Sequence, residues 1–191
     1  MVNENAIHAE LASIRSSLSS GTRIAVLTGA GISAASGIPT FRGEKDSLWN
    51  QYRPEELATP QAFYGNPELV WQWYDWRRGL IAESRFNAAH QALADLESHA
   101  QVVIITQNVD GYHQDAGSTI VHEFHGSIWR VRCSECGQER IDKSVPLKLL
   151  PSCAGCGGLE RPGVVWFGEG IDPVVMRDSF AAAADCDLFL V

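Results

Sequence analysis

Long apolar runs are missing from this 191-residue sequence, and positive charge is scarce. No stretch approaches the roughly 18 apolar residues of a membrane-spanning helix, so no membrane partner is expected. The N-terminal stretch MVNENAIHAELASIRSSLSSG is polar and lacks the apolar core of a secretion signal, which indicates a cytoplasmic protein. The net charge is −8, so general binding to nucleic acid phosphates is not expected either. The sequence does not indicate an oligomeric state.

Cysteine is also sparse, but four of the five cysteines form two Cys-x-x-Cys pairs, Cys133/Cys136 and Cys153/Cys156. In a chain without a secretion signal, this spacing is typical of a zinc site of four thiolates rather than of disulfides. Four thiolates fill the tetrahedron and leave no open position, so the ion is expected to be structural. Two redox-active dithiols are the alternative. Cys186 lies in an apolar stretch and is predicted to be a core residue.

Short apolar runs alternate with helical patterns along much of the chain. The predicted strands are RIAVLTGAG (23–31), QVVIITQN (101–108), GVVWFGE (163–169) and DLFLV (187–191). Helical patterns precede the second and the last of them. This alternation predicts an α/β fold with a Rossmann-like, doubly wound parallel sheet.

Two segments interrupt this alternation. Residues 44–83 have no strand pattern and are rich in aromatics, Pro and charge, and residues 131–162 contain the cysteine pairs. We predict that they form a smaller lobe, a zinc ribbon plus a helical segment. The Rossmann-like domain would then comprise residues 1–43, 84–130 and 163–191. A cleft between the two lobes is the expected binding site.

A glycine turn, Gly29-Ala30-Gly31, follows the first predicted strand. Such a turn lets a phosphate approach the backbone, and a helix N-terminus beyond it favours negative charge. Ala34 stands where the usual dinucleotide fingerprint has its third glycine, so an ordinary tight turn is the alternative.

Five blocks of the sequence together resemble the sirtuins, which are NAD-dependent protein-lysine deacylases. They are GAGISAASGIPTFRG (29–43), TQNVDGYHQDAG (106–117), HEFHG (122–126), the four cysteines, and PGVVWFGE (162–169). The resemblance implies NAD as co-substrate, one structural Zn²⁺ ion, and acyl-lysine proteins as substrates. The implied products are nicotinamide, free lysine and O-acyl-ADP-ribose.

The resemblance also implies a cofactor site. Gly29, Ala30 and Gly31 would form the pyrophosphate turn, and Phe41 and Arg42 would be the mobile-loop residues over the ribose. Gln107, Asn108 and Asp110 would line the ribose and nicotinamide pocket. Thr40 is also expected to contact the cofactor. Asn108 and Asp110 could instead cap the short helix that follows the second strand.

His125 matches the general base of the family, which takes a proton from a ribose hydroxyl. Histidine suits this role because its ordinary pKa, about 6.5, lies near the working pH. His122 is the closest rival, but the His-Gly match favours His125. Val164 and Phe167 match the apolar walls around the acyl-lysine and its peptide backbone.

Thr40 stands where many sirtuins carry Asp, and residues 71–79 read WQWYDWRRG. Tyr74 and Arg77 share one helical face and resemble the Tyr-x-x-Arg pair of the branch that removes acidic acyl groups. The resemblance implies a preference for succinyl, malonyl and glutaryl groups and weak deacetylation. The tryptophans of this segment are expected to pack the small lobe, and Arg78 to face solvent. Arg77 could also be solvated like Arg78.

Family members continue beyond DLFLV (187–191) with elements that hold the adenosine half of NAD. A truncated chain is therefore expected to be poorly active or inactive. The alternatives to a deacylase are a sirtuin-fold ADP-ribosyltransferase and an inactive module that binds NAD or ADP-ribose. A zinc-ribbon protein that binds nucleic acid is the weakest of the alternatives, because the chain is acidic.

Overall fold

Two β-sheets of opposite type organise the computed structural model, which describes residues 12–16, 18–38 and 52–191. The strands in these residues are β1 (Arg23–Thr28), β2 (Gln101–Thr106), β3 (Val121–Glu123), β4 (Gly126–Cys133), β5 (Glu139–Ile141), β6 (Glu160–Val164) and β7 (Leu188–Leu190). A parallel sheet has the order β3-β2-β1-β7, and an antiparallel sheet has the order β5-β4-β6.

Seven named helices surround the sheets in the described residues. They are α1 (Ala30–Ala34), α2 (Pro54–Leu57), α3 (Pro60–Gly65), α4 (Pro67–Glu83), α5 (Ala88–Leu96), α6 (Tyr112–Asp115) and α7 (Pro173–Asp185); residues 12–16 are also helical. Proline opens four of the seven, at the position where its missing N–H costs no helical hydrogen bond. Within the described part, no helix has the length and apolar content needed to cross a bilayer.

The parallel sheet is built on β1 and β2, whose apolar side chains are buried. Ile24, Val26, Val102 and Ile104 form its core, against which Leu93 and other partly buried residues pack. The predicted Rossmann-like α/β sheet is confirmed, and the helical pattern predicted before the last strand is observed as α7, which packs against β1 and β3.

A second, aromatic-rich core joins α4 to the antiparallel sheet. Trp71 and Trp73 are buried, and Trp76 packs against them from a partly buried position. The Trp71 Nε1–H donates to the Glu160 carbonyl at 2.8 Å, which ties α4 to β6. The expected packing role of these tryptophans is confirmed.

The predicted strand at 163–169 is wrong in length and in sheet. The strand ends at Val164 and pairs antiparallel with β4, with Gly126 opposite Val164. A side chain at Gly126 would come 2.3 Å from the Gly163 carbonyl, so this close pairing requires glycine. Beyond Val164 the chain turns at Gly168, whose φ is +87°, and the apolar run does not continue as a strand.

The antiparallel sheet extends a few residues beyond the predicted 131–162 segment on either side, from Gly126 to Val164. β3 was not predicted, because a three-residue, half-buried strand carries no apolar periodicity. The division into two lobes stays a prediction.

Arg78 contradicts the prediction that it faces solvent, since its side chain is fully buried. Its Nη2 donates to the carbonyls of Asp142 and Ser144, and the Asp142 carboxylate lies 3.6 Å away. The guanidinium also lies 5.1 Å from the centroid of the Trp129 ring. The segment after β5 therefore covers this face of α4 and satisfies Nη2, whereas Nε and Nη1 are buried without a hydrogen-bond partner in the described residues.

We expect Arg78→Met to lower the free energy of unfolding by about 2–4 kcal/mol, because it leaves Asp142 and two carbonyls without this donor. Arg85→Met is the matched control, since Arg85 is exposed just beyond α4, and it should change stability by less than about 0.5 kcal/mol. Urea unfolding of both variants measures the difference. Equal stabilities would show that the buried contacts of Arg78 contribute nothing.

Candidate active site

One cavity of about 430 Å³ gathers most of the residues that are predicted to bind the cofactor or the substrate or to act as the base. It lies where the carboxyl ends of β1 and β2 meet α4 and residues 164–171. Its lining includes nine of them: Ala30, Tyr74, Arg77, Gln107, Asn108, Asp110, His125, Val164 and Phe167. Thr40, Phe41 and Arg42 lie outside the described residues. The roles assigned to these side chains stay predictions, but the structure brings the nine together.

The glycine turn directly follows β1, and Gly29 occupies the N-cap position of α1. The Asn108 Nδ2 donates to the Gly29 carbonyl at 3.0 Å, which fixes the turn to the end of β2. A side chain added at Gly31 would meet nothing within 4 Å among the described residues, so these residues leave the backbone there open to a ligand.

Asn108 and Asp110 belong to a polar network that also contains Ser33, which the sequence analysis did not single out. Ser33 Oγ donates to Asp110 Oδ2 at 2.7 Å and accepts from Asn108 Nδ2 at 3.0 Å. The N-cap of α6 is Gly111, but Asp110 Oδ1 accepts from the Tyr112 backbone N–H at 3.0 Å, so Asp110 satisfies one N–H of the first turn and Asn108 does not. Each partner thus fixes the rotamer of the next.

His125 follows β3, and its Nδ1 lies 3.0 Å from the Gln107 carbonyl oxygen. A carbonyl can only accept, so Nδ1 carries the hydrogen and the neutral ring has its lone pair on Nε2. This tautomer is the one that a base acting through Nε2 needs. His122 instead faces Ser179 on α7, with Nδ1 to Oγ at 3.2 Å, and does not line the cavity. The geometry favours His125 over His122.

Tyr74 and Arg77 line the cavity from α4. Tyr74 is buried, and burial raises its pKa to about 12, so its hydroxyl is neutral at physiological pH. Burial lowers the pKa of Arg77, but a guanidinium stays protonated in proteins. Its Cζ lies 4.9 Å from the centroid of the Trp73 ring. The cavity therefore holds a fixed positive charge beside a neutral hydroxyl.

Apolar side chains supply much of the remaining wall, and the two carboxylates of Glu55 and Glu169 also line the cavity. Ala58, Ile81 and Val164 line it, while Phe167 is 53% exposed and also lines it. The Phe167 backbone N–H donates to the Ala58 carbonyl at 2.9 Å, which ties the loop after β6 to α2.

The four paired cysteines converge at the end of β4, with all four Sγ atoms within 4.8 Å of one another. Cys133 and Cys156 are 3.4 Å apart and Cys136 and Cys153 are 3.7 Å apart, and none forms a disulfide. A tetrahedral zinc ion with Zn–S bonds of about 2.3 Å places its ligands about 3.8 Å apart. The residues therefore fit the predicted structural zinc. Cys186 is only half-buried, so its assignment to the core holds in part.

Replacing Cys136 by Ser should abolish binding of one equivalent of zinc and lower the melting temperature, because a structural site contributes folding energy. Cys186→Ser is the matched control and should keep one zinc per chain. Metal analysis by plasma mass spectrometry with thermal melting checks both. Full zinc content in Cys136→Ser would exclude the four-thiolate site.

Two buried histidines lie beneath the glycine turn. Thr28 donates to Thr106 at 2.9 Å, so His113 Nε2 must donate to Thr28 Oγ1, also at 2.9 Å. The His90 ring centroid lies 4.9 Å from that of His113. Burial, with His90 beside it, lowers the pKa of His113 to about 4. His113 is therefore a neutral, structural donor at neutral pH.

Because the pKa of His113 is about 4 in the folded state and about 6.5 when unfolded, its contribution is complete above pH 6.5 and is lost as the pH falls towards 4. We expect the free energy of unfolding to fall by about 2–3 kcal/mol between about pH 6.5 and 4 from this group alone. His113→Gln should flatten this part of the stability–pH curve, whereas the exposed control His99→Gln should not. Urea unfolding between pH 7 and 4 measures both. Parallel curves for wild type and His113→Gln would refute the assignment.

A glycine turn at the edge of a parallel sheet, a histidine in the adjoining cavity and a four-cysteine site on a second sheet are typical of dinucleotide-binding α/β enzymes with a structural metal. The Sir2 family model matches residues 29–191, and the chain belongs to this family. The predicted sirtuin fold, NAD-dependent enzyme class and zinc site are confirmed at this level.

Named relatives and solved structures agree with this assignment. The chain is 55% identical to the NAD-dependent protein deacylase of Aquifex aeolicus over 170 residues, covering 88% of this chain and 71% of that protein. It is 51% identical to the NAD-dependent protein deacylase 1 of Archaeoglobus fulgidus, covering 88% and 69%. A Sir2 homologue–NAD complex matches with a TM-score of 0.81 at 50% identity, covering 87% of this chain and 66% of that chain.

Proposed function

We propose that this chain is an NAD-dependent protein-lysine deacylase that prefers succinyl, malonyl and glutaryl groups to acetyl groups. The names of the relatives support the deacylase activity. The observation that carries the acyl preference is the presence of Tyr74 and Arg77 in the same cavity as His125. Location in the cytoplasm stays a prediction.

The glycine turn after β1 and the polar network beside it would hold NAD. The backbone of Gly29–Gly31 would approach the pyrophosphate, while Asn108 and Asp110, fixed by Ser33, would face the ribose and nicotinamide. Bound NAD supplies the ribose carbon that the acyl oxygen attacks as nicotinamide leaves. The apolar walls exclude water from this step.

His125 would take a proton from a ribose hydroxyl at Nε2. Its hydrogen bond from Nδ1 to the Gln107 carbonyl holds the ring in the tautomer that leaves Nε2 basic. The same carbonyl would stabilise the imidazolium once Nε2 is protonated. The residues after β2 thus fix both the cofactor pocket and the orientation of the base.

Arg77 and Tyr74 would bind the carboxylate of an acidic acyl group. The guanidinium would pair with the carboxylate, and the neutral hydroxyl would donate a further hydrogen bond. An acetyl group cannot accept these additional hydrogen bonds. Each charge-assisted hydrogen bond contributes about 1.5–3 kcal/mol, so we expect roughly a 100-fold or greater preference for acidic acyl groups.

The test is turnover of one peptide that bears acetyl, malonyl, succinyl or glutaryl lysine in turn, with NAD and with mass spectrometry of all products. We expect acidic acyl groups to be removed fastest, with acyl-ADP-ribose as a product. Arg77→Met should lower kcat/KM for the succinyl peptide at least 100-fold, because the carboxylate loses its counter-charge. Arg85→Met is the control for removal of an exposed charge.

Unchanged desuccinylation in Arg77→Met would contradict the assignment of the acyl pocket. Transfer of ADP-ribose to protein without acyl-ADP-ribose would identify a transferase instead. Binding of NAD without any turnover would identify a nucleotide-binding module.

A further inference from the structure

We propose that Trp166 is a positioning residue that sets the Tyr74 hydroxyl as a hydrogen-bond donor to the acyl group, and that Arg161 holds Trp166 in place. This inference rests on the proposed preference for acidic acyl groups. It concerns a residue of the loop after β6 that acts through Tyr74.

The contact that carries the inference joins two buried side chains. Trp166 is 2% exposed and Tyr74 is 3% exposed. The Trp166 Nε1 lies 2.9 Å from the Tyr74 Oη. An indole nitrogen only donates, so the phenol oxygen must accept this bond. The hydrogen of the Tyr74 hydroxyl therefore cannot point at Trp166.

The second polar neighbour of Tyr74 restricts the hydroxyl further. Arg77 and Arg161 interact electrostatically with Tyr74, and a guanidinium also has donors only. Glu169 also acts on Tyr74, but its carboxylate oxygens accept from Arg161 and from the Trp166 backbone N–H. Among the described residues, the Tyr74 hydroxyl donates no hydrogen bond. A carboxylate at the end of the acyl chain, placed against Arg77, supplies an acceptor for this hydroxyl hydrogen. The cavity therefore favours a ligand that accepts hydrogen bonds from both the Tyr74 hydroxyl and the Arg77 guanidinium.

Arg161 fixes the indole from its other side. Its Cζ lies 3.4 Å from the centroid of the Trp166 ring, and its Nη1 and Nη2 donate to the two carboxylate oxygens of Glu169 at 2.5 and 2.8 Å. Glu169 Oε2 also accepts from the Trp166 backbone N–H at 2.9 Å. The Arg161 side chain is only 12% exposed. Ring and backbone of Trp166 are thus held by one ion pair.

The test is a double-mutant cycle with Trp166→Phe and Tyr74→Phe. The readout is the ratio of kcat/KM for a succinyl peptide to that for the matching acetyl peptide. In the wild-type background we expect Trp166→Phe to lower this ratio roughly threefold to tenfold, mainly through the KM of the succinyl peptide. In the Tyr74→Phe background it should change the ratio less than about twofold, because the group it orients is gone.

An equal fall in both backgrounds would show that Trp166 only shapes the cavity, and would overturn the inference. If Trp166→Phe does not fold, Arg161→Lys takes its place, since lysine keeps the charge but not the planar stack or the paired hydrogen bonds. Arg161→Lys should also lower the succinyl-to-acetyl ratio in the wild-type background and change it less than about twofold in the Tyr74→Phe background. An equal fall in both backgrounds would count against the inference. A wild-type ratio of one or below would instead refute the proposed function, and this inference with it.

Discussion

The in-register parallel pairing of β1 with β2 is the constraint on which the site depends. It sets Thr28 beside Thr106, so both strands end at the same level. The residues that follow must then meet: Gly29 on one strand and Asn108 on the other, joined by a hydrogen bond. A shift of one residue in this register would separate the turn from its network and point every following side chain to the opposite face.

The carboxyl end of the same pairing is held by buried polar groups. The Thr28–Thr106–His113 contacts replace water beneath the turn, and burial keeps His113 neutral there by lowering its pKa to about 4. Above it, the Ser33–Asp110 hydrogen bond fixes the polar side chains that face the cavity. A ligand that binds there meets groups already oriented, so little conformational entropy is lost on binding.

The sequence predicted those parts that local patterns determine. Apolar runs predict β1 and β2, and a helical pattern before the last strand predicts α7. The cysteine spacing alone predicts the metal site. Residues 165–169 were predicted as strand because Val165 and Trp166 are apolar. What turns the chain there is the pair of Arg161 with Glu169, a contact that no hydrophobic period reveals. Ser33 was missed for the same reason, since its partner Asp110 lies 77 positions away.

Arg77 and Arg78 show most clearly why the rest needs three dimensions. They are adjacent and chemically identical, but one helical step turns their side chains about 100° apart. Arg77 thereby lines the cavity, where a ligand can meet its charge. Arg78 points to the segment after β5, whose carbonyls and Asp142 carboxylate contact its Nη2. The segments that cover each face of α4 decide which arginine is structural and which can select a substrate. For Arg78, the covering residues lie about 65 positions away in the sequence.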